Sequence, residues 1–360
     1  MKILVRANNW VGDAVMAIPA LQAIRGRWPE AEVVVLARPW VADLYRGQPY
    51  VDRLIAYERD GRHRGLWGRE RLAAELRSEK FDVAILFQNA FDAAWIVWRA
   101  GVPERIGYAR DARGWLLTRA IPVPREGEIP AHESYYYLEL LRRAGWLAQL
   151  PAPPLDRISL RIPDDALRTA EQTLLAAGAR AGAMRVALAP GAAYGSAKCW
   201  LPERYAALAD HLIADFGAEV VIFGAPPERY MAERIARAMR LRALNLVGAT
   251  RIGDLPALLA SCGLFVGNDS GAMHVAGAVG LPVVGIFGPT DAEGTRPVTP
   301  QFTLVREPVS CSPCFLRHCP IDHRCMTGIS VERVVTAAQD WLRGPAAGAV
   351  VRESRGAKVV

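Results

Sequence analysis

The chain reads as an α/β protein built from two doubly wound, Rossmann-like domains facing across a cleft. Three features of the sequence predict this. Apolar runs without alternation, at residues 32–37, 185–189 and 282–287, alternate with amphipathic helical stretches, as expected of parallel strands buried on both faces. The proline-rich stretch LPAPPL at 150–155 interrupts the alternation, which then restarts. The runs end on polar or small-residue turns, where open α/β sheets bind their ligands. The expected domains are 1–157 and 158–343, with 344–360 read as a disordered tail.

In order, residues 1–5 form a strand, and Val15, Ile18, Leu21 and Ile24 then step along one helical face. Pro19 must either kink that helix or sit in its first turn. Asp13 falls in the intervening turn, where a carboxylate serves as an N-cap, as a general base, or as both. Strands at 32–37 and 54–57 flank a short helix at 40–45. Residues 59–71, RDGRHRGLWGRER, read as a basic loop enclosing Trp67, and a charge run of this kind is by itself expected to be solvated surface. A helix at 72–78 leads to a strand at 81–87 that ends on Gln88-Asn89, followed by a helix at 93–100. A second basic segment carries Arg110 and Arg113, and a helix spans 132–145.

Beyond the linker, helices are expected at 166–177, 202–216, 231–239, 252–261 and 331–342, and strands at 185–189, 218–223 and 244–247. The stretch 265–289, FVGNDSGAMHVAGAVGLPVVGIFGP, reads as strand, polar turn, helix, turn and strand. Its helical stripe is Ala272, Val275, Ala276 and Val279, which puts His274 off the buried side. Asp269 or Ser270 is the natural N-cap, and Gly271 has no Cβ to hold a ligand away from the free N–H groups. The loops at 191–198, 224–228 and 268–274 should all open on one edge of one parallel sheet.

Composition narrows the function. Hydrophobic residues make up 51% and charged residues 22%, which describes a globular protein. Lys and Arg total 44 against 37 for Asp and Glu, and the resulting +7 favours anionic partners. No run approaches ~18 apolar residues, so no spanning helix is expected. The start reads as a first strand rather than an export leader, and six cysteines then suggest a reducing cytoplasm. No Walker loop is present, no GxGxxG follows the first strand, and no GxSxG surrounds Ser270. No nucleic-acid recognition module is visible. Cys311, Cys314, Cys319 and Cys325, with His318 and His323 between them, are dense enough for a structural zinc, but their spacing is not that of a paired ribbon. Reduced thiols in a compact loop are the expectation, and no metal site is assigned.

Three stretches together resemble the family 9 glycosyltransferases, the ADP-heptose–lipopolysaccharide heptosyltransferases. They are ILVRANNWVGDAVMAIPAL, PGAAYGSAKCWLPERYAALA and VGNDSGAMHVAGAVGLPVVGIFGPT, and the similarity runs from about residue 2 to 342. The cysteine segment CSPCFLRHCPIDHRCM is similar to one in the type II members. The resemblance implies a GT-B fold and metal-independent inverting transfer of heptose from ADP-L-glycero-β-D-manno-heptose, with no cofactor. The implied acceptor is the heptose of the lipid A–Kdo–heptose inner core. It further implies Asp13 as catalytic base and Lys198 as the cation steadying the leaving diphosphate. Asp269, Ser270, Gly271 and His274 would hold the donor, Glu228 would contact the ribose, and Arg59, Arg62 and Arg64 would form a mobile loop at the lipid head group. Ala193 and Cys199 depart from residues frequent in the family. A monomer in the cytoplasm, in peripheral contact with the inner membrane, is expected. The rival readings are a type I or protein-directed heptosyltransferase and a sugar-nucleotide epimerase.

Overall fold

A computed structural model describes residues 1–343, so the tail expected at 344–360 lies outside the described residues. The chain divides into two compact units, Met1–Arg161 and Ile162 onward, so the linker at 150–155 closes unit 1. Between Arg143 and Asp164 the backbone forms neither helix nor strand, as the prolines require.

Unit 1 holds six parallel strands: β1 (Lys2–Arg6), β2 (Glu32–Ala37), β3 (Arg53–Ala56), β4 (Val83–Leu86), β5 (Glu104–Tyr108) and β6 (Arg119–Ile121). Their order is β3-β2-β1-β4-β5-β6, with Leu4 in register with Val34 on one side and Ala84 on the other. The chain therefore winds outward from β1 in one direction and then from β4 in the other, and the β1/β4 boundary is the switch point where ligands collect. Leu4, Val34, Leu36, Ala84 and Leu86 face one layer of core closed by Leu72 and Leu76 of helix Gly65–Ser78 and Val97 of helix Phe91–Arg99.

Unit 2 repeats the plan with β7 (Arg185–Ala189), β8 (Glu219–Ile222), β9 (Leu244–Asn245), β10 (Leu264–Asn268), β11 (Val283–Phe287) and β12 (Phe302–Arg306). The order β12-β11-β10-β7-β8-β9 is the same winding, with the switch at β7/β10. Every residue of β7, β10 and β11 is buried, which explains why they are apolar apart from Arg185 and Asn268 at strand ends.

Several expectations need adjusting. The first helical stretch is two helices, Val11–Met16 and Ile18–Arg27, and Pro19 sits in the first turn of the second, where its missing N–H costs nothing. The basic loop is shorter than expected because the helix begins at Gly65. Strand β5 and the edge strands β6 and β12 had no counterpart among the expected strands. β6 is three residues long, and β12 is only partly buried, so neither shows the apolar run of a central strand.

Candidate active-site loops

In unit 1, Asp13 is the third residue of helix Val11–Met16, immediately beyond the carboxyl end of β1. Trp10, not Asp13, occupies the cap position. The Asp13 main-chain oxygen accepts from Asn8 Nδ2 at 3.4 Å and from the Ala17 N–H at 2.9 Å. Its carboxylate is close enough to act on three groups from other elements, Tyr45, Glu133 and Tyr137. Burial first, and then the Asp13 charge, push the Glu133 carboxyl up to about 7, against a Tyr137 hydrogen bond and the Arg110 charge that pull it down. The sequence reading missed Glu133. An acid opening a helix looks like ordinary dipole compensation, and nothing local ties it to a residue 120 positions earlier.

The β4 end supplies a second polar group. Asn89 Oδ1 accepts from Arg113 at 2.9 Å, while its Nδ2 donates to the Tyr136 hydroxyl at 2.9 Å. Arg113 is fully buried, and burial lowers its pKa to about 10. The three loop arginines are all exposed. Arg62 lies 3.2 Å from Glu58 and 3.7 Å from Glu75. The loop between them is anchored by His63, which is fully buried and accepts at Nδ1 from the Glu58 N–H at 3.0 Å. Gly68 lets the next turn close over it, since a Cβ there would come within 2.2 Å of the His63 carbonyl carbon.

In unit 2 the loops after β7, β8 and β10 open on one edge, as expected of parallel strands. Lys198 ends the short turn Ser196–Lys198, and its Nζ donates to Asp269 Oδ2 at 2.6 Å. The same oxygen accepts from Thr290 Oγ1 at 2.7 Å. Asp269 thus pairs with the lysine across the two loops. Ser270 holds the cap position of helix Gly271–Ala278 but its side chain caps nothing, and its shielded hydroxyl oxygen has no hydrogen-bond partner among the described residues. A shielded hydroxyl beside the unpaired N–H groups of a helix start fits an anionic ligand. His274 is buried, contrary to its expected place off the packed face, because this helix is enclosed around most of its circumference from Met273 to Ala278.

Glu228 Oε2 accepts from the Ala225 N–H at 2.6 Å. The carboxylate lies over two glycines: a Cβ at Gly191 would come within 2.0 Å of Oε1, and one at Gly224 within 2.8 Å of Oε2. Glycine at both strand ends is what allows an acid to reach the β7/β8 edge. Burial raises its pKa, which the Ala225 hydrogen bond opposes.

Two further features escaped the sequence reading. Asn268, fully buried, accepts from the Trp200 N–H at 3.1 Å and the Tyr205 hydroxyl at 3.0 Å, and donates to the Pro190 carbonyl at 2.6 Å. It ties the lysine loop to β10. The cysteine segment grips the same loop from outside. The Ala197 N–H donates to the Arg317 carbonyl at 3.0 Å, His323 Nε2 contacts the Ala197 carbonyl at 2.7 Å, and His318 Nδ1 meets Ser196 Oγ at 2.9 Å. Lys198 and Arg317 flank the Tyr194 ring at 5.0 and 5.1 Å. All six cysteines are free, and no group of three or more metal-ligating side chains is arranged around a common point among the described residues.

The sequence model of glycosyltransferase family 9 (heptosyltransferase) matches residues 69–324. The chain belongs to that family. Among its members, lipopolysaccharide heptosyltransferase 2 of Escherichia coli (strain K12) is 30% identical over 311 residues, 85% of this chain and 88% of that protein. Lipooligosaccharide heptosyltransferase 2 of Campylobacter jejuni subsp. jejuni serotype O:2 is 28% identical over 351 residues, 95% of this chain and 99% of its own. The solved structure of E. coli ADP-heptose LPS heptosyltransferase II superposes with a TM-score of 0.80 at 28% identity, covering 95% of this chain and 98% of that one. A family 9 glycosyl transferase from Veillonella parvula DSM 2008 superposes at 0.82 with 22% identity, covering 95% and 97%, and speaks to the fold alone. The two doubly wound units are those of the GT-B class. Lys198, Glu228 and residues 268–274 lie inside the family match, whereas Asp13 and the loop arginines precede it.

Proposed function

We propose that this family 9 member is an inverting heptosyltransferase of lipopolysaccharide core assembly. It moves L-glycero-D-manno-heptose from ADP-heptose onto the heptose of a lipid A–Kdo–heptose acceptor. The observation that carries this reading is the Lys198–Asp269–Thr290 cluster beside the uncapped helix start at Ser270-Gly271, in a chain that matches type II heptosyltransferases over most of its length.

In this mechanism Asp13 takes the proton from an acceptor hydroxyl as that oxygen attacks the anomeric carbon. The new C–O bond forms on the face opposite the departing ADP, and the electron pair of the broken bond passes to the diphosphate. Lys198 and the N–H groups at Gly271 receive that charge, and each such donor is worth about 3 kcal/mol of barrier. Asp269, itself fixed by the Thr290 hydroxyl, holds the ammonium in place, so that little reorganisation is needed as the charge grows. Glu228 is assigned to the ribose hydroxyls, His274 to the packing behind the donor loop, and Arg59, Arg62 and Arg64 to the acceptor's acidic head group. The protein acts as a monomer at the cytoplasmic face of the inner membrane. No helix among the described residues is long and apolar enough to cross a membrane.

The test is to mix the protein with ADP-heptose and, separately, monoheptosylated lipid core, Kdo-terminated core and a protein acceptor, and weigh the products. One added heptose on the monoheptosylated core is expected. Preference for the Kdo-terminated core or the protein would move the assignment within the family. Conversion of ADP-heptose with no acceptor present would make the protein an epimerase.

A further inference from the structure

Every tryptophan among the large exposed hydrophobic side chains, Trp10, Trp40, Trp67, Trp98 and Trp115, lies in unit 1, and unit 2 exposes none among the described residues. Three of them belong to one region. Helix Phe91–Arg99 turns Phe91 and Trp98 outward, and Trp115, on the short turn Gly114–Leu116, meets both. The ring centroids are 6.4 Å apart for Phe91–Trp115 and 6.0 Å for Trp98–Trp115. Trp115 is 69% exposed, although such rings normally avoid water. Helix Gly65–Ser78 packs beside this helix, and its first turn carries Leu66 and Trp67, the latter 85% exposed.

The surrounding charge is net positive. Residues 59–71 carry five arginines against two carboxylates, and residues 91–119 four outside the buried Arg113 against three. Arg99 lies 5.8 Å from the Trp98 ring and donates to both oxygens of Glu70, at 2.8 and 3.1 Å. Indole rings with a basic surround are the composition that settles at a bilayer interface. The ring lies at head-group depth with its N–H hydrated, and the guanidinium groups meet lipid phosphates.

We propose that the face formed by Phe91, Trp98 and Trp115, extended by Leu66 and Trp67, is the surface by which the enzyme docks on an anionic bilayer. This rests on the reading of the acceptor as lipid-linked and supplies the contact that brings unit 1 to it. The partner is the phosphate-bearing lipid surface itself, with the aromatic rings supplying depth and the arginines supplying charge selectivity.

The experiment is co-sedimentation of the full chain with vesicles of phosphatidylethanolamine and phosphatidylglycerol, and with vesicles of phosphatidylcholine alone. The wild type should bind the anionic vesicles and bind the neutral ones at least tenfold more weakly. The Trp98→Ser/Trp115→Ser variant should lose about tenfold in binding to the anionic vesicles, as expected for two rings withdrawn from an interface. Circular dichroism should show its melting unchanged. Transfer to a soluble, delipidated heptose acceptor should stay at the wild-type rate, while transfer to the same core embedded in vesicles falls. Equal vesicle binding by the variant and the wild type would overturn the proposal. So would a concentration-dependent dimer, seen by ultracentrifugation, that the variant abolishes, because a second copy would then cover the face. Absence of transfer to any acceptor, with vesicle binding intact, would fault the assigned reaction and leave the docking surface standing.

Discussion

At the switch point between β1 and β4, unit 1 places a carboxylate, Asp13, beside a second carboxyl, Glu133, and tyrosine hydroxyls, with arginines and tryptophans on the surface. At the corresponding point between β7 and β10, unit 2 places a lysine held by an acid and an uncapped helix start, with an acid bedded on two glycines at the neighbouring β7/β8 edge. The strand order is the same in both. Neither strand order nor sheet hydrogen bonding therefore says which unit handles which substrate. That information sits in the residues just past the strand ends, and the contrast between proton-accepting and anion-accepting groups is what divides the labour. The comparison can be broken by showing that a residue on one side does the other side's work.

The largest effect is expected at Asp13. Asp13→Asn should lower kcat by a factor on the order of 10²–10⁴, the usual worth of a positioned general base. ADP affinity should remain unchanged, because no anion-binding group is touched. A matching loss of ADP affinity in calorimetry would mean that Asp13 organises the donor site and would erase the distinction. Lys198→Ala is the mirror experiment, with kcat down about 10²–10³-fold and ADP binding weakened together. An intact ADP affinity in that variant would leave Asp269 holding a lysine with no part in the donor site.

The fold was legible because burial on both faces writes itself into the chain as unbroken apolar runs, and β7, β10 and β11 carry that signature plainly. The strands it missed are β5, β6 and β12; β6 and β12 lie at sheet edges, and β5, next to β6, is buried over only part of its length. Among the site residues, Lys198, Asp269 and Ser270 are brought together as the loop pattern suggested. The Asp269–Lys198 pairing is a contact between residues 71 apart, however, and periodicity cannot reveal it. His274 was misplaced because a four-residue stripe assumes a single packed face, whereas its helix is enclosed on nearly all sides. Asn268 looked like another turn residue, and its bracing role depends on partners at 190, 200 and 205.

That bracing role gives a sharper test of unit 2 alone. Asn268→Ala should cost about 2–4 kcal/mol in urea unfolding, since it strands a buried N–H, a hydroxyl and a carbonyl at once. Turnover should fall as well, because the loop carrying Lys198 loses its tie to β10. A variant as stable as the wild type would mean that the loop is held by the cysteine segment and not by Asn268.

The effect most dependent on pH, and the most specific to unit 1, concerns Glu133. Folding raises its carboxyl from the usual 4.5 to about 7, chiefly through burial and secondarily through the Asp13 charge. The folded state therefore binds this proton more tightly than the unfolded chain does. The stability it contributes is present below the unfolded value and is lost as pH rises through about 7. Glutamine mimics the protonated form at every pH. Glu133→Gln should match the wild type below about pH 4 and exceed it by about 3 kcal/mol at pH 8, read as a growing difference in thermal midpoint. The same substitution in an Asp13→Asn background should show a smaller gain at pH 8, because the second cause of the shift has gone. An identical gain in both backgrounds would mean that the two carboxyl groups do not interact, and unit 1 would then hold a lone base in place of the coupled pair that sets it apart from unit 2.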